Sequence, residues 1–351
     1  MRRNYLPLIG LFCAANIAAQ TDTTASFTFS AYGEFYYQYD FDKPDDHERP
    51  GFLYNHKRHN ELNVNLLYVK GAFAEGRTRA NLAAMAGNYA QNNLAAEPTW
   101  AQFIYEANAG VRLSEKQNIW LDAGIMPSHI GFESATGADC WNLSRSLVAE
   151  NSPYFETGLK LSFLSKNEDL TVAALLLNGW QRTTRPDGYQ KPALGLQINY
   201  KANDLLTLNY SNFIGSDKPD DAGIRRVYHD FYAIFDASNF GVIAGGNVGS
   251  DETIGEWYAS TLVLRTQFSE NWNLAGRIEY FHDPKQVVVA TGTKHGFRTL
   301  GYSINFDFLP TPRAMLRFEG RWLNSKDAIF QSGIDKEMSN FAMTTALCIR
   351  I

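Results

Sequence analysis

The sequence predicts an all-β fold, a closed antiparallel up-and-down transmembrane barrel of about sixteen strands, and three observations carry that prediction. Segments of about ten residues alternate apolar and polar side chains along the whole chain, the length a tilted strand needs to cross a bilayer. The links between them alternate strictly between short and long. No stretch after the first twenty residues is apolar for the roughly 20 residues a membrane helix needs.

The chain opens with "MRRNYLPLIGLFCAANIAAQ": Arg2 and Arg3, an apolar run from Leu6 to Ala15, then small residues. This is the layout of a secretory signal peptide spanning 1–19, with a short lead at 20–25 before the barrel domain at 26–351. Export is therefore expected. Cys140 and Cys348 remain after cleavage, too few for a disulfide framework. A net charge of −5 and the lack of a Lys/Arg run give no reason to expect a nucleic-acid partner.

Strand one, "SFTFSAYGEFYYQYDF", sets Phe27, Phe29, Phe35, Tyr37, Tyr39 and Phe41 on one parity against Thr28, Ser30, Glu34, Gln38 and Asp40. Lipid is the solvent such an aromatic face meets, with Tyr36, Tyr37, Tyr39 and Phe41 expected in an interfacial girdle. Further strands are expected at 60–74, 77–88, 101–113, 118–126, 154–164, 170–179, 192–201, 205–214, 226–235, 240–248, 257–268, 272–282, 296–308, 314–322 and 339–351. The parity break at Leu66–Leu67 suggests a bulge. Phe103–Leu113 places Tyr105 on the lipid parity, and "KQVVVATGTKH" (285–295) could extend its flanking strands as a hairpin.

Charge fixes which parity faces lipid. In "AMLRFEGRW", Leu316, Phe318 and Trp322 oppose Arg317, Glu319 and Arg321. Each arginine turned to the bilayer midplane would cost about 2–4 kcal/mol, so the ionic parity must line the interior. The same reasoning gives Arg79, Arg112, Asp122, Glu156, Lys160, Arg277, Glu279, Arg317, Glu319, Arg321 and Arg350 as pore-lining candidates. Their balance is slightly basic, which implies a weak anion preference; mutual pairing that merely braces the wall is the competing reading.

Links after even-numbered strands are short and those after odd-numbered strands long, a pattern that suits periplasmic turns and extracellular loops and has no cause in a soluble sandwich. The longest, 127–153, is the third long loop. Its "WNLSRSLVAENS" carries Leu143, Leu147 and Val148 at helical spacing, a stripe that gains from packing inside the mouth. Glu133, Asp139, Arg145 and Glu150 are its constriction candidates.

"GIMPSHIGFES", "NLSRSLVAENSPYFETGLKLSF" and "ALLLNGWQR" resemble the OmpL-like β-barrel porins (beta-barrel porin-2 family) of Gram-negative outer membranes. The resemblance covers most of the mature chain and implies an outer-membrane channel for passive diffusion of small hydrophilic solutes, with outer-membrane lipid as surroundings. It assigns no solute, cofactor or metal, and a homotrimer is implied by analogy alone. The chain ends in Ile351, where many such barrels end in an aromatic residue.

Two other classes compete. A surface adhesin or glycan-binding barrel would use Trp141, Trp180 and Trp257 to stack on sugars. A lipid hydrolase would need a serine–histidine constellation, but no G-x-S-x-G or H-E-x-x-H motif is present, and His229 and Asp230, adjacent on a strand, point to opposite faces. No enzyme activity is expected. The acidic stretches 40–50 and 216–223 lack the spacing of a calcium loop.

Overall fold

Alternation along the chain closes into one cylinder. In the computed structural model, which describes residues 24–216 and 218–351, sixteen antiparallel strands form a barrel. They are β1 (Ser26–Asp40), β2 (Leu62–Glu75), β3 (Thr78–Ala86), β4 (Ile104–Arg112), β5 (Asn118–Pro127), β6 (Phe155–Leu164), β7 (Leu170–Leu177) and β8 (Ala193–Lys201). β9 (Leu206–Gly215), β10 (Arg226–Asp236), β11 (Phe240–Asp251), β12 (Gly255–Ser269), β13 (Trp272–Asp283), β14 (Phe297–Thr311) and β15 (Ala314–Ser325) continue it. A small hairpin of β16 (Phe330–Ser332) and β17 (Asp335–Glu337) precedes β18 (Ser339–Arg350), which pairs with both β15 and β1 to close the ring. The expected signal peptide at 1–19 lies outside the described residues, as does most of the expected lead.

Each of the sixteen expected strands is present, with ends shifted by a few residues. Phe27, Phe29, Phe318 and Trp322 point outward and are exposed, whereas Arg317, Glu319 and Arg321 point inward. Closure leaves no unpaired edge, the requirement for a sheet in lipid.

One local expectation holds with a shift of a residue, and three differ. The parity break in β2 is a bulge at Asn65: Glu34 pairs with Leu66 and Phe35 with Val64. The extra residue turns inward, where its amide donates to Glu34 at 2.9 Å. Tyr36 does not join the outer girdle; it is 1 % exposed and faces the lumen, as its even parity requires. Tyr105 is also inward, because the β3–β4 register shifts beside it, between the pairs Ala83–Glu106 and Ala84–Ile104. Residues 285–295 do not extend the flanking strands: the Asp283 carboxylate accepts the Val287, Val288 and Val289 N–H groups and curls the chain over the barrel mouth.

The interior is not uniformly polar. At the long-loop end, inward Leu175, Leu177, Phe213, Tyr228, Trp257, Phe281 and Phe297 form an apolar cluster with Phe52, Leu53, Ile130, Leu147, Val289 and Phe330 from the long loops. Those loops fold inward because the upper wall offers apolar partners, each fully buried large side chain contributing about 1.5–3 kcal/mol.

Candidate functional site

The third long loop, 128–154, lies inside the barrel and is hydrogen-bonded to opposite walls. On the β13–β18 side Arg317 organises the attachment. Its Nε donates to Asp307 at 2.7 Å, and its other nitrogens donate to the carbonyls of Gly137, Cys140 and Trp141 at 2.6, 3.0 and 3.1 Å. Ser303 and Asn305 accept from Asn142 and Leu143. Glu319 accepts the Ser144 N–H and hydroxyl at 2.5 and 2.8 Å, Arg277 donates to the Ser144 carbonyl at 2.6 Å, and Glu279 accepts the Leu147 N–H at 2.5 Å. Arg321 completes this patch with a 2.7 Å pair to Glu279.

On the other side, His129 Nδ1 meets Glu156 at 2.7 Å and its Nε2 meets the Asn212 carbonyl at 2.7 Å, while Asp230 accepts the Gly131 N–H at 3.2 Å. His129 stands against the backbone of β8, and a Cβ at Gly195 would lie 2.7 Å from its Nε2. His229, beside Asp230, faces outward to Tyr210.

Within the loop, Arg145 donates to the carbonyls of Leu143, Ser134 and Ala135 at 2.6–2.7 Å and is wholly buried. It fixes the loop's shape and faces no open space. Glu133 accepts from the Ser146 N–H and hydroxyl and lies 3.6 Å from Arg277. Glu150 accepts the Tyr54 N–H of the first long loop at 2.8 Å, so the two inserted loops also hold each other. Burial lifts the Glu133 and Glu150 carboxyls above the ordinary glutamate range, against the downward pull of Arg277 on the first and of the Tyr54 N–H on the second. Burial raises Asp139 too, although Arg350 pairs with it.

The expected helix of this loop is a single turn, α1 (Leu147–Glu150), capped by the Ser146 hydroxyl. It is short because the stripe serves two sites: Leu143 packs with Tyr36 and Ala346, Leu147 with the apolar cluster at the long-loop end.

What remains open runs along the β2–β8 wall. A cavity of about 320 Å3 is lined there by Lys70, Arg79, Asn81, Asn108, Asp122, Lys160, Gln197 and Asn199 and bounded by Glu133–Thr136 of the loop. Arg79 makes two bonds to Asp122, at 2.8 and 2.6 Å, and lies 4.2 Å over the Trp120 ring. Lys70 pairs with Glu106 at 2.5 Å. Tyr68 and Tyr105 stack at 4.7 Å, and the Tyr105 hydroxyl reaches Thr136 at 3.1 Å. A second space of about 570 Å3 opens at the short-turn end, between Glu133–Asn142 and the β9–β12 wall.

A family model described as "Putative beta-barrel porin-2, OmpL-like" matches residues 26–351. The chain belongs to this family. It is an outer-membrane β-barrel porin. No curated protein sequence matches it. Among solved structures, the fold is similar to an anion-selective porin from Comamonas acidovorans (TM-score 0.63, 9 % identity, 93 % of this chain and 100 % of that one). It is similar also to the outer membrane channel DcaP of Acinetobacter baumannii (0.63, 11 %, 93 % and 97 %) and to Salmonella typhi OmpF in complex with daunomycin (0.61, 9 %, 93 % and 97 %).

In this porin the pore-lining candidates divide into groups. Arg79, Asp122 and Lys160 face the open cavity. Arg277, Glu279, Arg317, Glu319 and Arg321 face inward but are 4 % exposed or less, sealed under the loop. Glu156 is buried on His129, Arg112 donates to Gln117 at a short turn, and Arg350 stands at the turn end with Asp139. Among the constriction candidates, Glu133 and Asp139 border open space and Arg145 and Glu150 do not. Sequence reasoning missed Lys70, Tyr68 and the inward Tyr105; the bulges were the available signal. Arg277, Arg317 and Arg321 drop out of the charge count behind an anion preference, and the equally sealed Glu279 and Glu319 drop out with them. Trp257 is 2 % exposed, Trp180 packs on Phe213 and Tyr228, and Trp141 stacks with Arg265 inside the barrel, so the porin does not offer these tryptophans to an external sugar. Among the described residues, no group of three His, Cys, Asp or Glu is placed to hold a metal ion.

Proposed function

We propose that small hydrophilic solutes cross this porin passively along the β2–β8 wall, through a channel that the 128–154 loop narrows. Sixteen strands enclose enough space for water, and the loop occupies the opposite half of that space. The observation that carries the reading is the asymmetry of the lumen: ionic side chains are sealed beneath the loop on one wall and face a cavity on the other. Paired Lys70–Glu106 and Arg79–Asp122 across the open wall leave it polar yet nearly balanced in charge, which suits uncharged or mixed solutes. Export by a cleaved signal peptide and assembly as a trimer, the form in which OmpT of Vibrio cholerae is described, belong to the same reading.

Planar-bilayer conductance and liposome swelling with sugars of graded size test it. We expect stable single-channel steps and a size cut-off, with Tyr105→Ala raising both conductance and cut-off by opening the gap between Tyr68 and Thr136. Absence of steps above lipid background, with loop-dependent ligand binding instead, would replace the channel by a binding barrel.

A further inference from the structure

The lipid-facing surface holds a cationic group that no ion pair among the described residues neutralises. Tyr258 of β12 pairs with His282 of β13, and His282 with Arg298 of β14. The Lys326 N–H donates to the Arg298 carbonyl at 2.9 Å, which puts Lys326 on the same rung. Alternation turns all four outward, since Trp257, Phe281, Phe297 and Ser325 beside them are buried within. Two outward arginines elsewhere on the rim have carboxylates: Arg225 pairs with Glu252 at 2.6 Å and Arg58 with Glu61 at 2.9 Å. Arg298 and Lys326 form no ion pair with a described residue, and Arg298 Nε is buried without a hydrogen-bond partner. Glu256, the nearest outward acid along β12, stands a rung beyond Tyr258 and two strands from Arg298.

Depth decides what could meet this group. Phe308 and Trp272 pack with ring centroids 4.4 Å apart in the aromatic belt at the short-turn end. Arg298 stands ten residues above Phe308 on the same strand. At about 3.4 Å per residue and a tilt near 40°, that is about 25 Å along the membrane normal, the height of a barrel's apolar band. The rung therefore sits where acyl chains give way to headgroups. A guanidinium there, short of acceptors, is satisfied best by a phosphate, whose oxygens match its planar fork. The His282 ring stacks on Tyr258 at 4.6 Å, and with Nδ1 held by the Tyr280 hydroxyl at 3.1 Å, Nε2 is the nitrogen left for a ligand.

We propose that Arg298, Lys326 and His282 form a site for the phosphate of an outer-leaflet lipid headgroup, fixed to the barrel above β12–β15. The full chain, refolded in detergent, is exposed to bisphosphorylated lipid A, to the same lipid with its phosphates removed, and to inorganic phosphate, with bound lipid counted by native mass spectrometry. The wild type should retain the phosphorylated lipid about tenfold better than the dephosphorylated one, the ratio that one charge-assisted contact of about 1.4 kcal/mol gives. The R298Q/K326Q variant should lose that preference while R225Q keeps it; if the double variant does not fold, K326Q alone should reduce the preference. Equal retention of both lipids by the wild type, or a preference that survives in R298Q/K326Q, would overturn the site. Displacement of the lipid by inorganic phosphate at equal concentration would overturn the lipid as its occupant.

Discussion

The two halves of the lumen are built from the same alternating strands and do different things. On β13–β18, the buried Arg277, Glu279, Arg317 and Glu319 hold backbone groups of the inserted loop, and Arg321 is buried in a pair with Glu279. On β2–β8, Lys70, Arg79, Asp122 and Lys160 stand at an open cavity. Inward charge is thus of two kinds: one fastens a plug and the other meets water. A charge added or removed should change attachment on the first wall and selectivity on the second.

Arg317→Ala should have the largest effect. It leaves the buried Asp307 carboxylate without its cation and takes the guanidinium from three loop carbonyls, a loss of about 3–5 kcal/mol for a broken buried pair. Urea unfolding in detergent should show the destabilisation, and channel recordings should show larger, noisier steps as the loop loosens, with little change in reversal potential. Unchanged noise would mean that the loop is held without this wall.

Gly249→Ala should cost about 1–3 kcal/mol by overpacking. A Cβ there falls 2.1 Å from the Trp257 ring, which is locked between Tyr228 and Arg226. The midpoint of thermal unfolding should drop while conductance persists, because the apolar cluster lies away from the open wall.

Arg79→Ala belongs to the second kind. Asp122 stays at the cavity without its cation, so reversal potentials in a salt gradient should move toward cation preference, with a smaller stability loss than Arg317→Ala because Asp122 borders the cavity and holds no loop group. A shift of the same size from Arg317→Ala would erase the distinction between the walls.

Acidity gives the smallest expected effect. Burial raises Glu133 and Glu150, so the docked loop holds their protons more tightly than a free loop would. Their contribution to docking is complete below the ordinary glutamate value near pH 4.3 and declines as pH rises from there through the raised values. Channel noise should rise over that window in the wild type and less so in Glu133→Gln.

The barrel was legible because lipid imposes one rule on every strand: Phe318 out with Arg317 in repeats as Leu121 out with Asp122 in, and loop length separates the two ends. Tyr105 escaped because one shifted register reverses parity, and Tyr36 because its aromatic neighbours masked an even position. The valines at 287–289 resemble a strand locally, yet the Asp283 carboxylate captures their N–H groups. The division between sealed and open charges was not legible. It depends on contacts 132 to 180 residues apart in the chain, and nothing local distinguishes Arg317 from Arg79.

Those long separations set an order of events during assembly. The loop at 128–154 leaves the secretion machinery well before β13–β18, and until they arrive its carbonyls and N–H groups have no acceptor or donor from that side. Contacts so distant along the chain form late and slowly. The lumen should therefore pass through a wider, leakier stage when β1 has yet to join β18, and sealing of that last seam and seating of the loop should be one concerted step, since Tyr36 on β1 and Ala346 on β18, partners across that seam, both pack on Leu143 of the loop.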